Sequence, residues 1–166
     1  GGAQAPAVEA QRMSTTLGKT LRFDQVAVGQ HLPELALELT PTMIVSTAIA
    51  TRDYQDVHHD RDLAQQKGSK DIFMNILTTT GYVGRFVTDW AGPEALLRNV
   101  SIRLGAPNYP YDTMRVTGEV TKVEQGDEEC LVTVSLKGSN KLGDHVIATV
   151  DLALPLGDAW PAGKST

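Results

Sequence analysis

Ten residues, from Asp53 to Asp62, hold four aspartates and two of the chain's four histidines. A carboxylate beside an imidazole can take a proton from a water and return one elsewhere, which is general acid–base catalysis. The same side chains could instead hold a metal, with Asp53, Asp56, His58, His59 and Asp60 as candidate ligands. Their spacing matches neither a His-Glu-x-x-His site nor a calcium loop, whose glycine is missing, so no metal is expected. Asp53 and His58 are five residues apart, which on one helix would set them roughly 140° from each other. They can converge only where a helix has just ended.

The elements around this stretch are spaced to end one there. Residues 21–29 read as a short strand and turn, and Leu35, Leu37 and Leu39 alternate as a strand with one buried face. Thr40 and Pro41 then supply a cap and a first-turn proline for a helix over residues 43–51, running straight to Asp53. Asp60 as N-cap and Gly68 as stop predict a second short helix over residues 61–67, with Asp62 a first-turn acid. The loaded loop is thereby pinned at both ends.

A third helix is predicted over residues 72–91, about 30 Å long and ended by Gly92-Pro93. Its apolar residues, among them Ile72, Phe73, Ile76, Leu77, Val83, Phe86 and Trp90, cover most of its circumference, so burial on several sides is expected. Gly81 and Gly84 inside it predict a close approach by a sheet. Four strands follow, over residues 99–104, 113–123, 129–137 and 144–155, read as an antiparallel meander whose apolar face covers the helix.

Composition narrows the function. With 166 residues, 41% hydrophobic and 21% charged, the chain fits one domain, placed at residues 21–155 between flexible tails at 1–20 and 156–166. A net charge of -5 and a pI near 5.3 argue against nucleic acid as a partner. The single cysteine, Cys130, excludes an internal disulfide and reads as a strand residue rather than an activated thiol. No apolar run approaches the ~20 residues of a membrane span and no secretory signal is evident, so a cytoplasmic protein is expected. There is no phosphate-cradling glycine loop and no Gly-x-Ser-x-Gly elbow. His145, in a turn before the last strand, reads as structural or as facing a partner subunit.

Asp53, Val57, His58 and Ala64 fall in register with the motif Gly-Asp-x-Asn-Pro-(Ile/Leu)-His plus a small residue, while Arg52, Gln55 and Asp56 replace its Gly, Asn and Pro. On these residues the chain resembles the MaoC-like, R-specific enoyl-CoA hydratases of the hot-dog fold. Residues 50–62, 68–73, 88–93 and 143–145 together are similar to the small subunits of heteromeric steroid enoyl-CoA hydratases of actinobacterial cholesterol side-chain degradation. The resemblance implies an α+β hot-dog domain whose antiparallel sheet wraps a long helix. It also implies hydration of an enoyl-CoA without a cofactor, and a larger MaoC-like subunit as partner in an α2β2 complex. A homodimer is the alternative.

For the residues, the resemblance implies Asp53 as base and His58 as the group that positions the water and gives a proton, the two sharing their titration. The family's oxyanion donor is a backbone N–H at the start of the long helix, usually from a glycine after a histidine. Here Ile72-Phe73-Met74-Asn75 lacks that pair, and the Met74 or Asn75 amide is the candidate. Arg61, Lys67 and Lys70 form either a basic rim for coenzyme A phosphates or a solvated face. A hot-dog thioesterase, and a scaffold subunit whose chemistry resides in a partner, are the alternative functions.

Overall fold

Short-range chemistry sets the first elements as expected. Strand β1 (Leu35–Leu39) buries Leu35 and Leu39, and Thr40 caps helix α1 (Pro41–Ala50), its hydroxyl accepting the Met43 N–H at 3.1 Å. Asp60 caps helix α2 (Arg61–Gln66) by accepting the Leu63 N–H at 3.0 Å. Gly68 and Gly92, at φ +87° and +97°, follow helices in the left-handed region that glycine enters without a Cβ penalty. The computed structural model describes residues 19–127 and 129–157. The tails expected at 1–20 and 156–166 therefore lie outside the described residues except for Lys19, Thr20, Leu156 and Gly157. Thr20 is buried, its hydroxyl accepting the Glu94 N–H.

Residues 21–29 do not form the expected strand. They make a 3-10 turn, Phe23–Gln25, followed by the expected turn at Val28–Gly29; the Leu21 N–H goes to Ala91 and the Phe23 N–H to Pro155 instead of to a strand, and Gly29 donates to Val120. Helix α3 (Ile76–Ala91) begins four residues later than expected, and its 16 residues span about 24 Å rather than 30 Å. Ile72, Phe73 and Met74 are apolar without being helical. Their amides donate to the Asp71 side chain, to Val57 and to Asn108, which keeps the segment out of the helix until Asn75 caps it.

A five-stranded antiparallel sheet lies against α3: β2 (Leu96–Leu104), β3 (Asp112–Gln125), β4 (Cys130–Asn140) and β5 (Gly143–Leu154) join β1 in the order β1-β3-β4-β5-β2. Only β3, β4 and β5 form a meander. The chain crosses the sheet as α3 and re-enters at the far edge, so β2 pairs with β5, as in Val100 opposite Val150, and never meets β3. This is the hot-dog fold, α+β in class. Val116, Val120, Val132, Val134, Val150 and Leu152 present the sheet's apolar face, all at most 1% exposed, to Val83, Phe86, Val87 and Ala91 of the helix. Each such burial contributes about 1.5–3 kcal/mol for the larger side chains.

Among the described residues the helix is buried on one side. Ile76 and Leu77 are half exposed, so the expectation of burial on several sides fails for its first turn. The close approach expected at Gly81 and Gly84 is also absent. Among the described residues nothing lies within 4 Å of a Cβ built on Gly81, and Gly84 meets Leu97 alone, at an ordinary 3.5 Å. The tight contact is on the sheet. A Cβ on Gly118 of β3 would stand 2.9 Å from the Phe86 ring, 3.2 Å from Leu136 and 3.3 Å from the Ser135 carbonyl. Gly118→Ala should therefore destabilise the fold by about 1–3 kcal/mol, read as a lower urea midpoint with unchanged m-value. An unchanged midpoint would show that the ring has room to move.

Candidate active site

Helix α1 ends in a turn that aims Asp53. The Arg52 N–H donates to Ile49 and the Asp53 N–H reaches back to Ala48, at 3.0 and 2.9 Å, the paired bonds of a Schellman motif. The residue between helix and aspartate must take a left-handed conformation, and Arg52 does so at φ +58°. A glycine is the strain-free choice there. The conformation is kept although the residue is not a glycine. After Gln55 the chain makes a 3-10 turn, Asp56–His58, which Phe73 pins by donating its N–H to Val57.

These two turns bring Asp53 and His58 together. His58 Nε2 lies 3.4 Å from Asp53 Oδ2, with side chains 9% and 16% exposed. The other ring nitrogen, Nδ1, is 2.7 Å from the Phe73 carbonyl, an acceptor, so Nδ1 carries the hydrogen. Nε2 is left as the atom that exchanges protons. A 3.4 Å separation exceeds the ~2.7–2.9 Å of a charge-assisted bond, which leaves both atoms able to point at a third group. The Phe73 ring stands edge-on to the imidazole at 4.9 Å and packs in turn against Tyr109.

A third side chain completes the pair, one that sequence reasoning misses. Asn75 is a sequence candidate for its backbone amide alone, yet its Nδ2 donates to Asp53 Oδ2 at 3.0 Å and to the Thr51 hydroxyl at 2.9 Å. The available signal is a capping residue directly before the periodic run from Ile76, masked by the apolar Ile72-Phe73-Met74 ahead of it. The Met74 N–H is committed to the Asn108 carbonyl at 3.0 Å. Among the described residues the Asn75 N–H donates to nothing. Thr78 Oγ1, in the same turn, is buried without a hydrogen-bond partner among them.

The rest of the cluster is used locally. Asp56 is 2.6 Å from Lys67, whose hydrogen bond and charge hold the carboxyl below its usual range. Asp60 caps α2, and Arg61 bonds Asp71 at 2.8 Å. Lys70 edges a cavity of about 390 Å³ lined also by Tyr109, Tyr111 and Lys141. His59 is exposed. Cys130 opens β4 and is buried, which pushes its thiol pKa up and leaves it unreactive. His145 faces its own chain. Its Nδ1 is 2.7 Å from the Ala106 carbonyl and its Nε2 2.9 Å from the Thr79 hydroxyl.

Residues 22–141 match the MaoC like domain, and the chain belongs to that family. Over 127 residues it is 61% identical to the 3-oxo-4,17-pregnadiene-20-carboxyl-CoA hydratase beta subunit of Mycobacterium tuberculosis (strain ATCC 25618 / H37Rv), covering 76% of this chain and 95% of that protein. Among solved structures it is similar to a chain of the ChsH1-ChsH2 complex from Mycobacterium tuberculosis, at 60% identity and TM-score 0.75 over 78% of this chain and 99% of that one. The (R)-hydratase from A. caviae involved in PHA biosynthesis shares the fold, with TM-score 0.71 and 16% identity over 78% and 98% of the two chains.

Two outcomes follow from this geometry. Arg52→Gly should leave activity intact and stability within about 1 kcal/mol, because relieved left-handed strain and added unfolded-state entropy oppose each other. Arg52→Val, with a branched Cβ at positive φ, should lower the thermal midpoint by several degrees; no change would mean that the turn is not held. The His145 pKa is lowered, by burial first, with the Ala106 hydrogen bond opposing. The unfolded ring titrates near about 6.5. Below that pH the unfolded state takes a proton that the folded state resists, so stability is full above it and falls as pH drops. Urea midpoints followed from about pH 7.5 to about pH 5 should decline, and His145→Gln should remove part of the decline. A variant with the wild-type slope would assign it elsewhere.

Proposed function

We propose that this chain is the catalytic small subunit of an enoyl-CoA hydratase that adds water across the α,β double bond of a steroid side-chain acyl-CoA. The observation that carries the reading is the Asp53–His58 pair, with His58 Nδ1 anchored on Phe73 and Nε2 left facing Asp53. Asp53 takes a proton from water as its oxygen adds to the β-carbon, His58 reacting as the imidazolium gives its Nε2 proton to the α-carbon, and the proton on Asp53 then passes to Nε2 across the 3.4 Å between them, which resets the pair. The charge that builds on the thioester oxygen needs a donor at the start of α3, where a helix N-terminus favours anions. With the Met74 amide bonded to Asn108, the Asn75 N–H fills that role.

Of the three cations near the loop, Arg61 and Lys67 are paired with Asp71 and Asp56. Lys70, at the rim of the tyrosine-lined cavity, is the better phosphate contact. A larger MaoC-like subunit, in an α2β2 assembly, covers the exposed Ile49, Tyr54, Ile76 and Leu77 that stand around Asp53 in the sequence and at the start of α3. The likeness to a hydratase beta subunit and to a member of a two-component complex supports this pairing and the steroid acyl group.

The test is turnover of a steroid enoyl-CoA by the chain co-purified with its partner, followed as loss of the enoyl thioester absorbance. Asp53→Asn and His58→Ala should each lower kcat by about 10²–10⁴. Full activity of the complex with Asp53→Asn would assign catalysis to the partner and leave this chain a scaffold. A product of free acid in place of 3-hydroxyacyl-CoA would make the protein a thioesterase.

A further inference from the structure

We propose that the Asn75 side chain is the positioning residue for Asp53, and that His145 holds it in place from the sheet side through Thr79. The inference rests on the hydratase reading above and deepens it. Asn75 is 1% exposed, and its amide is engaged by three residues, two at the end of α1 and one in α3. Nδ2 donates to Asp53 Oδ2 and to the Thr51 hydroxyl, and Oδ1 accepts the Thr78 N–H at 2.9 Å as the cap of α3.

The orientation of that amide is forced from both sides. The Thr51 hydroxyl donates back into α1, to the carbonyls of Thr47 and Ala48, and so must accept from Asn75. A flipped amide would set Oδ1 against the Asp53 carboxylate and NH₂ against the Thr78 N–H, two like-with-like contacts in a buried place. The result is that the last turn of α1, the carboxylate and the first turn of α3 move as one body. Serine, threonine or aspartate would cap the helix equally well. None of them offers both a cap acceptor and an N–H to a carboxylate, and asparagine does.

The second contact fixes the body to the sheet. His145, in β5, is 3% exposed, and Thr79 is fully buried one turn below Asn75. His145 Nδ1 faces the Ala106 carbonyl and must donate to it, so in the neutral ring Nε2 is an acceptor and the Thr79 hydroxyl donates to it at 2.9 Å. Thr79 Oγ1 and N lie 3.2 and 3.1 Å from the Asn75 carbonyl. The first turn of α3 is thus bolted through Thr79 and His145 to β5 and to the segment at Ala106. Ala106 itself donates its N–H to Asp144.

The experiment uses the complex with its partner and the assay described for Asp53→Asn. Asn75→Ser and Asn75→Thr keep the cap but remove the donor to Asp53. Each should leave the thermal midpoint within a few degrees and KM within about threefold, while kcat falls by about 10- to 100-fold. Thr79→Val, which keeps the shape and loses the hydroxyl, should lower kcat several-fold, and Thr79→Ser should restore it. In the Asn75→Ser background Thr79→Val should cost no further kcat, because it acts through Asn75. If both cap-preserving variants keep wild-type kcat while Asp53→Asn is dead, the positioning role is overturned and the hydratase reading stands. The positioning role is equally overturned if kcat, KM and midpoint all decline together. If the wild-type complex hydrates nothing, both readings fall.

Discussion

The packing of helix α3 onto the sheet is the constraint from which the site derives. Phe86 and Val87 are buried in the core under the sheet, and at Gly118 of β3, against the Phe86 ring, there is no room for even a methyl group. Interiors this dense have one arrangement rather than a range of them. Fixing the body of α3 fixes its N-terminal turn in space, and that turn is where Asn75 meets Asp53 and where the run from Ile72 to Met74 delivers the Phe73 carbonyl to His58. The reactive pair belongs to a loop, but both its members are held by what precedes or begins α3.

Charge is handled differently from position. The acids and bases crowded between Asp53 and Asp71 are mostly matched at the surface, Asp56 with Lys67 and Arg61 with Asp71, and exposed pairs of this kind contribute little to stability. Their effect is to remove competing charges from the neighbourhood of a pair that lacks an ionic partner of its own. Asp53 is instead met by neutral donors, chiefly the Asn75 amide, and by His58.

How much of this is legible in the sequence depends on the range of the interactions. The caps at Thr40 and Asp60 and the stop at Gly68 are readable because each acts within four residues. So is the need for a helix to end before Asp53, from the five-residue spacing alone. The start of α3 is not, since Ile72, Phe73 and Met74 have the apolarity of a helix and only long-range bonds to Val57 and Asn108 keep them out of one. The strand order escapes for the same reason: nothing local to β2 says that its partner is β5. The Asn75 side chain is hidden because a cap looks the same in sequence whatever lies on its other side. Replacement of the motif's glycine by Arg52 suggests a different backbone. The backbone is the glycine-type one, with a larger residue made to adopt it.

That last feature ties catalysis to motion. Asp53 is placed by its own N–H on Ala48 and by that of Arg52 on Ile49, and the linking residue sits in a conformation that L-residues with a Cβ adopt at a cost of about 1–2 kcal/mol. Helix ends are where local opening is easiest. When the last turn of α1 frays, the carboxylate leaves with it, so on the role proposed for Asp53 the fraction of molecules with an ordered helix end is also the fraction ready to react. Amide exchange at Asp53 would measure that fraction directly, in a protein whose core need not open at all.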